Sequence, residues 1–169
     1  STGIATVNYV AQGCSGADVI TATTTSGGGL SASGTVTVAA AAVGSIVFLS
    51  ATPTNIALEG TGDASRPESS TVVFRVVDST GGPVSGATVS FALNTQVGGI
   101  SLTPATATSG ANGQVQTVVS AGTVATSVKV TATVTSVTPN ISTQSSQLTV
   151  TTGIPTDNSF SLAVGCFNI

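Results

Sequence analysis

The side chains best able to do chemistry in this 169-residue chain are its two cysteines, Cys14 and Cys166. Two thiols can form a disulfide in an oxidising compartment, where such bonds staple small secreted domains. The cysteines lie near opposite ends of the chain, and no other cysteine lies between them. The sequence leaves several states open: a Cys14–Cys166 disulfide within one molecule, a disulfide between molecules, pairing with a thiol elsewhere, or two free thiols.

Three carboxylates, Glu59, Asp63 and Glu68, fall within ten residues and are the first candidates for binding a metal. Ca²⁺ prefers carboxylate and carbonyl oxygens as ligands. The spacing lacks the dense Asp and Asn pattern of calcium loops, so it favours a solvated acidic loop with Arg66 as counter-charge. Asp157-Asn158 is likewise interpreted as a turn rather than a calcium site. We predict no metal site and no cofactor.

Histidine is absent from the chain, which excludes Ser-His-Asp and Cys-His catalysis as well as His-ligated metals. Lys129 is the only lysine, and an isopeptide crosslink would need it buried beside a carboxyl group. Its alternation with Val128 and Val130 places it instead on an exposed face. The glycine run 27–29 lacks the helix and lysine of a phosphate-binding loop and predicts a turn. The chain is therefore predicted not to be an enzyme.

Composition argues against binding of nucleic acid and against a transmembrane helix. Only 5% of the residues are charged and the net charge is −3, so nothing here would neutralise a row of phosphates on a nucleic acid. No apolar run reaches the roughly 18 residues of a transmembrane helix. Thr and Val are abundant, and their β-branched side chains favour strands over helices.

Most of the chain shows short segments of alternating polarity separated by turn residues, which predicts strands. Val89, Phe91 and Leu93 form one predicted apolar face, and Phe48, Phe74, Phe91 and Phe160 are predicted core residues. Tyr9 is predicted to be core with its hydroxyl at the rim, and Arg75 to face solvent or an edge. The predicted strands are 45–50, 55–58 (a continuation of the first), 70–77, 87–93, 100–102, 114–120, 126–135 and 147–151. This spacing predicts an all-β, antiparallel, immunoglobulin-like β-sandwich of about 100 residues.

The chain also matches itself. Residues 3–25 align with 113–135 without a gap, and after a two-residue insertion 36–38 align with 148–150. Further on, Ser45-Ile46-Val47-Phe48 resembles Ser159-Phe160-Ser161-Leu162. A period near 110 residues is longer than solenoid repeats and indicates a tandem array of whole domains. The identical pairs in the first match place Gly3, Ala11, Thr21, Ala22, Thr23 and Thr25 on Gly113, Ala121, Thr131, Ala132, Thr133 and Thr135.

The segment VDSTGGPVSGATVSF at 77–91 resembles the central signature of bacterial immunoglobulin-like domains of the invasin and intimin type. The turn and strand at 112–115 and the strand at 128–132 resemble the second half of such domains. The resemblance implies tandem immunoglobulin-like repeats in an extracellular or cell-surface protein of bacteria, forming a fibre or an adhesin stalk. An alternative is a carbohydrate- or receptor-binding module. It is less favoured because sugar sites use an aromatic platform, and the aromatic residues here mostly occupy core-like positions.

The repeat and the resemblance together predict three parts: 1–43, the last three strands of one repeat; 44–152, a complete sandwich; and 153–169, a junction and a first or donor strand. A half-sandwich exposes apolar residues, and burying them stabilises association by about 25 cal/mol per Å². The missing strands would come from a continuing chain or from a neighbour. The predicted partners are accordingly adjacent repeats or identical subunits joined head-to-tail. The exposed set is Val7, Tyr9, Ile20, Ala22, Val36 and Val38.

Overall fold

The computed structural model describes residues 4–11, 15–25 and 27–152, and the regular structure of this part consists of strands. Within it, the helical structure is limited to the short 3₁₀ turn Val97–Gly99, and no helix is long and apolar enough to span a membrane. The predicted all-β class is confirmed. The strands are β1 (Gly16–Thr23), β2 (Ser31–Val38), β3 (Ser45–Thr52), β4 (Asn55–Ala57), β5 (Ser69–Val77), β6 (Thr88–Leu93), β7 (Ser101–Thr103), β8 (Thr106–Thr108), β9 (Gln114–Ser120), β10 (Thr126–Val128), β11 (Val130–Val134), β12 (Ile141–Gln144) and β13 (Leu148–Thr151).

One sheet of the sandwich has the strand order β3-β5-β9-β7, and all its pairs are antiparallel. Its central strand β5 has the sequence SSTVVFRVV, and alternate residues Val72, Phe74 and Val76 are fully buried. β-Branched and aromatic side chains fit such a pleated, half-buried surface. Arg75 lies on the solvent side of β5, but it is half-buried, and its Nε makes no hydrogen bond to the described residues.

The facing sheet has the order β12-β11-β6-β8, and its strand β11 is preceded by β10, which pairs with β13 and through it with β4. The predicted strand 126–135 is thus divided at Lys129. Here the side-chain oxygen of Asn94 accepts a 2.7 Å hydrogen bond from the Lys129 N–H, outside the ladder. The predicted apolar face is nevertheless continuous across the break, because Val128, Val130, Ala132 and Val134 are all fully buried.

Two prolines mark the places where the chain passes from one sheet to the other. Pro53 lies between β3 and β4, and Pro104 lies between β7 and β8. Proline has no N–H to donate, so a ladder cannot continue through it. The prediction that 55–58 continues the first strand is therefore wrong in one respect, since β4 leaves the β3-β5-β9-β7 sheet and pairs in parallel with β13, in the three-stranded sheet β10-β13-β4.

Two strands were not predicted from the sequence. β8 (TAT) and β12 (ISTQ) contain few apolar residues and have no fully buried side chain. They pair at the edges of their sheet, β8 with β6 and β12 with β11. Edge strands of this kind show little alternation in hydrophobicity because both faces are partly solvated.

The core between the two sheets is built around three phenylalanines, as predicted. The Phe74 ring lies 5.7 Å from that of Phe48, edge-on, and 5.9 Å from that of Phe91, measured between centroids. Phe74 is fully buried and Phe48 is half-buried at the margin. Around them pack mainly valines from both sheets, together with Ile46, Ile56, Ile100 and Leu148. The predicted core residue Phe160 lies outside the described residues.

Ser145 lies in the short connection between β12 and β13, and its side-chain hydrogen bonds can be tested by mutation. Its buried hydroxyl accepts a 2.9 Å hydrogen bond from the Val130 N–H and donates one of 2.7 Å to the Ser146 carbonyl. We expect Ser145→Ala to lower the free energy of unfolding by about 1–3 kcal/mol, because a buried N–H loses its acceptor. Urea unfolding would measure this, with the exposed Ser142→Ala as control. Equal, small losses in both variants would contradict the assignment.

Ahead of the sandwich lies a separate antiparallel hairpin of β1 and β2, with the glycine run 27–29 in its turn as predicted. All three glycines have positive φ, a conformation that other residues adopt at a cost. Residues 4–11 have no regular secondary structure, although the prediction was three strands in 1–43. Their counterpart in the self-match is β9, which lies between β5 and β7. The described part of 4–43 offers no such flanking strands, so residues 4–11 have no ladder to join.

Candidate interaction surface

The hairpin repeats the pairing register of β10 and β13. In the sandwich, Thr126, Ser127 and Val128 pair with Val150, Thr149 and Leu148. In the hairpin, Gly16, Ala17 and Asp18 pair with Val38, Thr37 and Val36. These are the same pairs under the offsets of 110 and 112 found in the sequence self-match. A one-residue slip would move every side chain to the opposite face. The agreement therefore identifies the hairpin as the counterpart of the last two strands of the sandwich.

One side of the hairpin, here called the hairpin face, consists of Ile20, Ala22, Ala32, Val36 and Val38, which the register places together. The counterparts of Ile20, Val36 and Val38 are Val130, Leu148 and Val150, which are at most 1% exposed. Val36 is 36% exposed, and only Ile20 and Val38 on this face are even partly buried. Among the described residues, no second sheet covers the hairpin face, whereas its counterpart lies in the core of the sandwich.

A polar pair occupies two positions that are apolar in the sandwich. The Tyr9 hydroxyl donates a hydrogen bond to the Asp18 carboxylate. The counterparts of these residues are Val119 and Val128, both fully buried in the core. Tyr9 is 41% exposed, so the prediction that it lies in the core is not met. The physical reason is that the described residues contain no second sheet over the hairpin face.

The hairpin is joined to the sandwich at a packed junction. Residues 39–44 connect β2 to β3, and the Gly44 N–H donates a 2.8 Å hydrogen bond to the Val77 carbonyl. A Cβ on Gly44 would lie 2.5 Å from the carbonyl carbon of Asp78, so only glycine fits there. A cavity of about 150 Å³ lies beside the linker, lined by Ala11, Ser15, Val38, Ala39, Ala41, Pro83 and Ser85. The residues that line this cavity are uncharged.

Asp78 holds the turn that packs against Gly44. Its Oδ1 accepts hydrogen bonds from the Thr80 N–H (2.8 Å), the Thr80 hydroxyl (2.7 Å) and the Gly82 N–H (2.9 Å). These bonds, the one from the Thr80 hydroxyl first, hold the pKa of Asp78 below its ordinary 3.8. Hydrogen bonds to a carboxylate favour its charged form. The turn at 78–82, within the segment 77–91, therefore has a fixed shape where it packs against Gly44.

Asp78 and Asp63 predict an acid-sensitive component of stability. The pKa of each is lowered in the folded state, so each stabilises the fold above about pH 3.8, and this contribution is lost as pH falls through the folded pKa. We expect the melting temperature of the double variant Asp78→Asn, Asp63→Asn to change less between about pH 5 and pH 2 than that of the unchanged chain. Thermal unfolding followed by circular dichroism would measure it. Parallel losses in both proteins would contradict the prediction.

The structure does not gather the predicted acidic set into one site. Asp63 Oδ1 accepts hydrogen bonds from the Ser65 N–H, the Ser65 hydroxyl and the Arg66 N–H, while Glu68 accepts one from the Gly62 N–H. These carboxylates bind their own loop. In the part of the chain that the structure describes, no three acidic or thiol side chains are grouped to hold a metal ion. Cys14, Cys166 and Asp157-Asn158 lie outside the described residues.

Comparison with known proteins gives structural similarities only: no family model matches the chain, and no curated protein matches it. The D00-D0 domain structure of intimin is similar at 18% identity and a TM-score of 0.49, over 84% of this chain and 68% of that one. The Yersinia pseudotuberculosis adhesin InvE has 25% identity and a TM-score of 0.44, over 62% and 26%. A glycosyl hydrolase family 2 protein of Bacteroides cellulosilyticus is similar at 20% identity and a TM-score of 0.48, over 79% of this chain and 17% of that one.

This chain therefore spans only about a quarter of InvE and a sixth of the hydrolase. The fold assignment rests on the chain itself: two facing sheets, with orders β3-β5-β9-β7 and β12-β11-β6-β8, form the immunoglobulin-like arrangement. The chain carries an immunoglobulin-like β-sandwich, and domains of intimin and InvE are among the solved structures that it is similar to.

Proposed function

We propose that this chain is a structural, non-catalytic part of an extracellular repeat protein that forms a fibre or an adhesin stalk on a bacterial surface. The observation that carries the proposal is the shared register of the hairpin and of β10 with β13. One polypeptide thus contains the same structural unit twice, in a period that suits whole domains. Its role is to place sandwiches in a row.

The junction supports a mechanical role. The linker 39–44 is short, its Gly44 is hydrogen-bonded to Val77, and a side chain at that position would collide with the Asp78 backbone. A short linker packed in this way restricts rotation between neighbouring units, whereas a Gly/Ser-rich linker would behave as a flexible coil. Force applied along the row would then pass through backbone hydrogen bonds within the sheets.

Composition suits exposure outside a cell. The chain has three basic residues, Arg66, Arg75 and Lys129, and Arg66 precedes Pro67, so trypsin-like proteases find few sites. Little charge opposes association between neighbouring surfaces, which would be a disadvantage for a freely diffusing monomer and is useful in a fibre. A disulfide between Cys14 of one copy and Cys166 of another is part of the proposal.

Immunogold electron microscopy with an antibody raised against the sandwich would test this function on the cells that make the protein. The proposal expects label outside the cell, along thin surface fibres or at a fixed distance from the envelope. Label confined to the cytoplasm would overturn it. A glycan array probed with the chain separates the binding-module alternative: specific binding to one glycan class would favour that alternative over a stalk.

A further inference from the structure

We infer that Asn112 is a site of spontaneous covalent modification, the conversion of asparagine to aspartate and isoaspartate, which the folded turn around it holds back. The inference goes beyond the proposed function and does not depend on it. Of the seven asparagines in the chain, Asn112 alone is followed by a glycine. Glycine has no Cβ to hinder the approach of its backbone nitrogen to the preceding side chain. Asn112 is exposed, so water can reach its amide group.

The reaction is a ring closure between these two neighbouring residues. The Gly113 nitrogen loses its proton to hydroxide and bonds to Cγ of Asn112, while the Cγ–Nδ2 bond breaks and releases ammonia. Water then opens the succinimide ring at one of its two carbonyl carbons. Opening at Cγ gives aspartate, and opening at the main-chain carbonyl gives isoaspartate. Water is the co-reactant, no electron is transferred, and the two reacting groups are brought together by the chain itself.

Hydrogen bonds of the turn hold both reacting groups. The Gly113 N–H donates a 2.8 Å hydrogen bond to the Gly110 carbonyl. The side-chain oxygen of Asn112 accepts a 3.0 Å hydrogen bond from the Gln114 N–H. The attacking nitrogen therefore keeps its proton in a hydrogen bond, and the carbonyl group that it must attack is held towards Gln114. Ring closure has to break both of these bonds.

The packing of Gly113 keeps the turn from adjusting. Gly113 is buried, and its carbonyl accepts a 2.8 Å hydrogen bond from the Val76 N–H. A Cβ on Gly113 would lie 2.5 Å from the Val76 carbonyl oxygen and 3.2 Å from Cα of Pro83, so its neighbours are close on that side. The peptide unit cannot rotate towards the Asn112 side chain without losing the bond to Val76. In the folded chain the reaction is therefore limited by the fraction of molecules whose turn is open.

The two products differ in their effect on the turn. Aspartate at position 112 keeps a side-chain oxygen that can accept the hydrogen bond from the Gln114 N–H. Isoaspartate instead adds one carbon atom to the main chain, inside a turn that closes with the 2.8 Å bond between Gly110 and Gly113. We expect this longer chain to prevent the turn from closing. Isoaspartate at this position is thus an irreversible mark of an earlier opening.

Peptide mapping of the aged 169-residue chain tests the inference. Trypsin cuts after Arg75 and Lys129, and the peptide 76–129 contains both Asn112 and an internal control, Asn94, which is followed by a threonine. Samples are aged at mildly alkaline pH with and without concentrated urea, and tandem mass spectrometry locates the replacement of NH₂ by OH. We expect conversion of Asn112 to be at least about 10-fold slower in the folded chain than in urea. Asn94 should stay unchanged in both, because a β-branched neighbour hinders ring closure.

Two variants separate the steps of this reaction. Asn112→Gln should stay unmodified in urea, because its longer side chain would have to close a larger ring. Asn112→Asp reproduces the aspartate product and should melt as the unchanged chain does, whereas refolded chains that carry isoaspartate should melt at a lower temperature. Equal rates with and without urea, no conversion in urea, aspartate without isoaspartate, or isoaspartate chains that melt like Asn112→Asp would each overturn the inference.

Discussion

Phe74→Ala is expected to lower the free energy of unfolding of the sandwich by about 3–5 kcal/mol. Phe74 is fully buried at the centre of β5, and its ring contacts those of Phe48 and Phe91. Truncation removes the transfer free energy of the ring and leaves a cavity that the two rigid sheets can only partly close. A domain of this size has a total stability of about 5–15 kcal/mol, so the variant would be close to unfolding.

Guanidinium unfolding of the two proteins would measure this loss. Val73→Ala is the matched control, because Val73 neighbours Phe74 on the same strand but is only half-buried, on the solvent side. We expect its loss to be well below that of Phe74→Ala. Similar losses for the two variants would contradict the assignment of β5 to the centre of the core.

Gly113→Ala is expected to lower the free energy of unfolding by about 2–3 kcal/mol. Gly113 has φ of +75°, and a Cβ there would lie 2.5 Å from the Val76 carbonyl oxygen. Its own carbonyl accepts a 2.8 Å hydrogen bond from the Val76 N–H, so the turn cannot move away without losing that bond.

Gly110→Ala is the control for this substitution, since it lies in the same loop. A Cβ on Gly110 would approach no atom closer than 3.5 Å, and its φ is not positive. We expect a change of a few tenths of a kcal/mol, or a slight gain from the reduced entropy of the unfolded chain. Melting temperatures that fall equally in both variants would contradict the conformational argument.

The strands that have a neighbouring strand on each side were predictable from sequence. β5, β6 and β9 alternate strongly, because inward positions such as Phe74, Phe91 and Val119 must be apolar whatever the rest of the chain does. β8 and β12 could not be found in this way, since edge strands bury too little to show a pattern. After Pro53 the chain leaves β5, and β4 pairs with β13 instead. The local sequence pattern does not indicate this change, because it carries no information about which distant strand lies nearby.

The candidate surface was predictable in part. The self-match of 3–25 with 113–135 anticipates that Ile20, Ala22, Val36 and Val38 share a face, and the pairing of β1 with β2 places them together. The Tyr9–Asp18 contact was not anticipated. It joins residues that replace two buried valines, Val119 and Val128, and neither substitution alone indicates a hydrogen bond. The junction was also missed, because small residues such as Ala39 and Ser85 carry no chemical signal.

Hydrogen–deuterium exchange of the full chain at several concentrations tests most directly the claim that the hairpin repeats the pairing of the last strands of the sandwich without the flanking strand β4. The account predicts that amides of Leu148–Thr151 are protected at every concentration, because β13 lies between β10 and β4. Those of Ser31–Val38 should be weakly protected when the chain is dilute and gain protection as it assembles. Equal protection of both strands in dilute solution, or a hairpin that never gains protection, would contradict it.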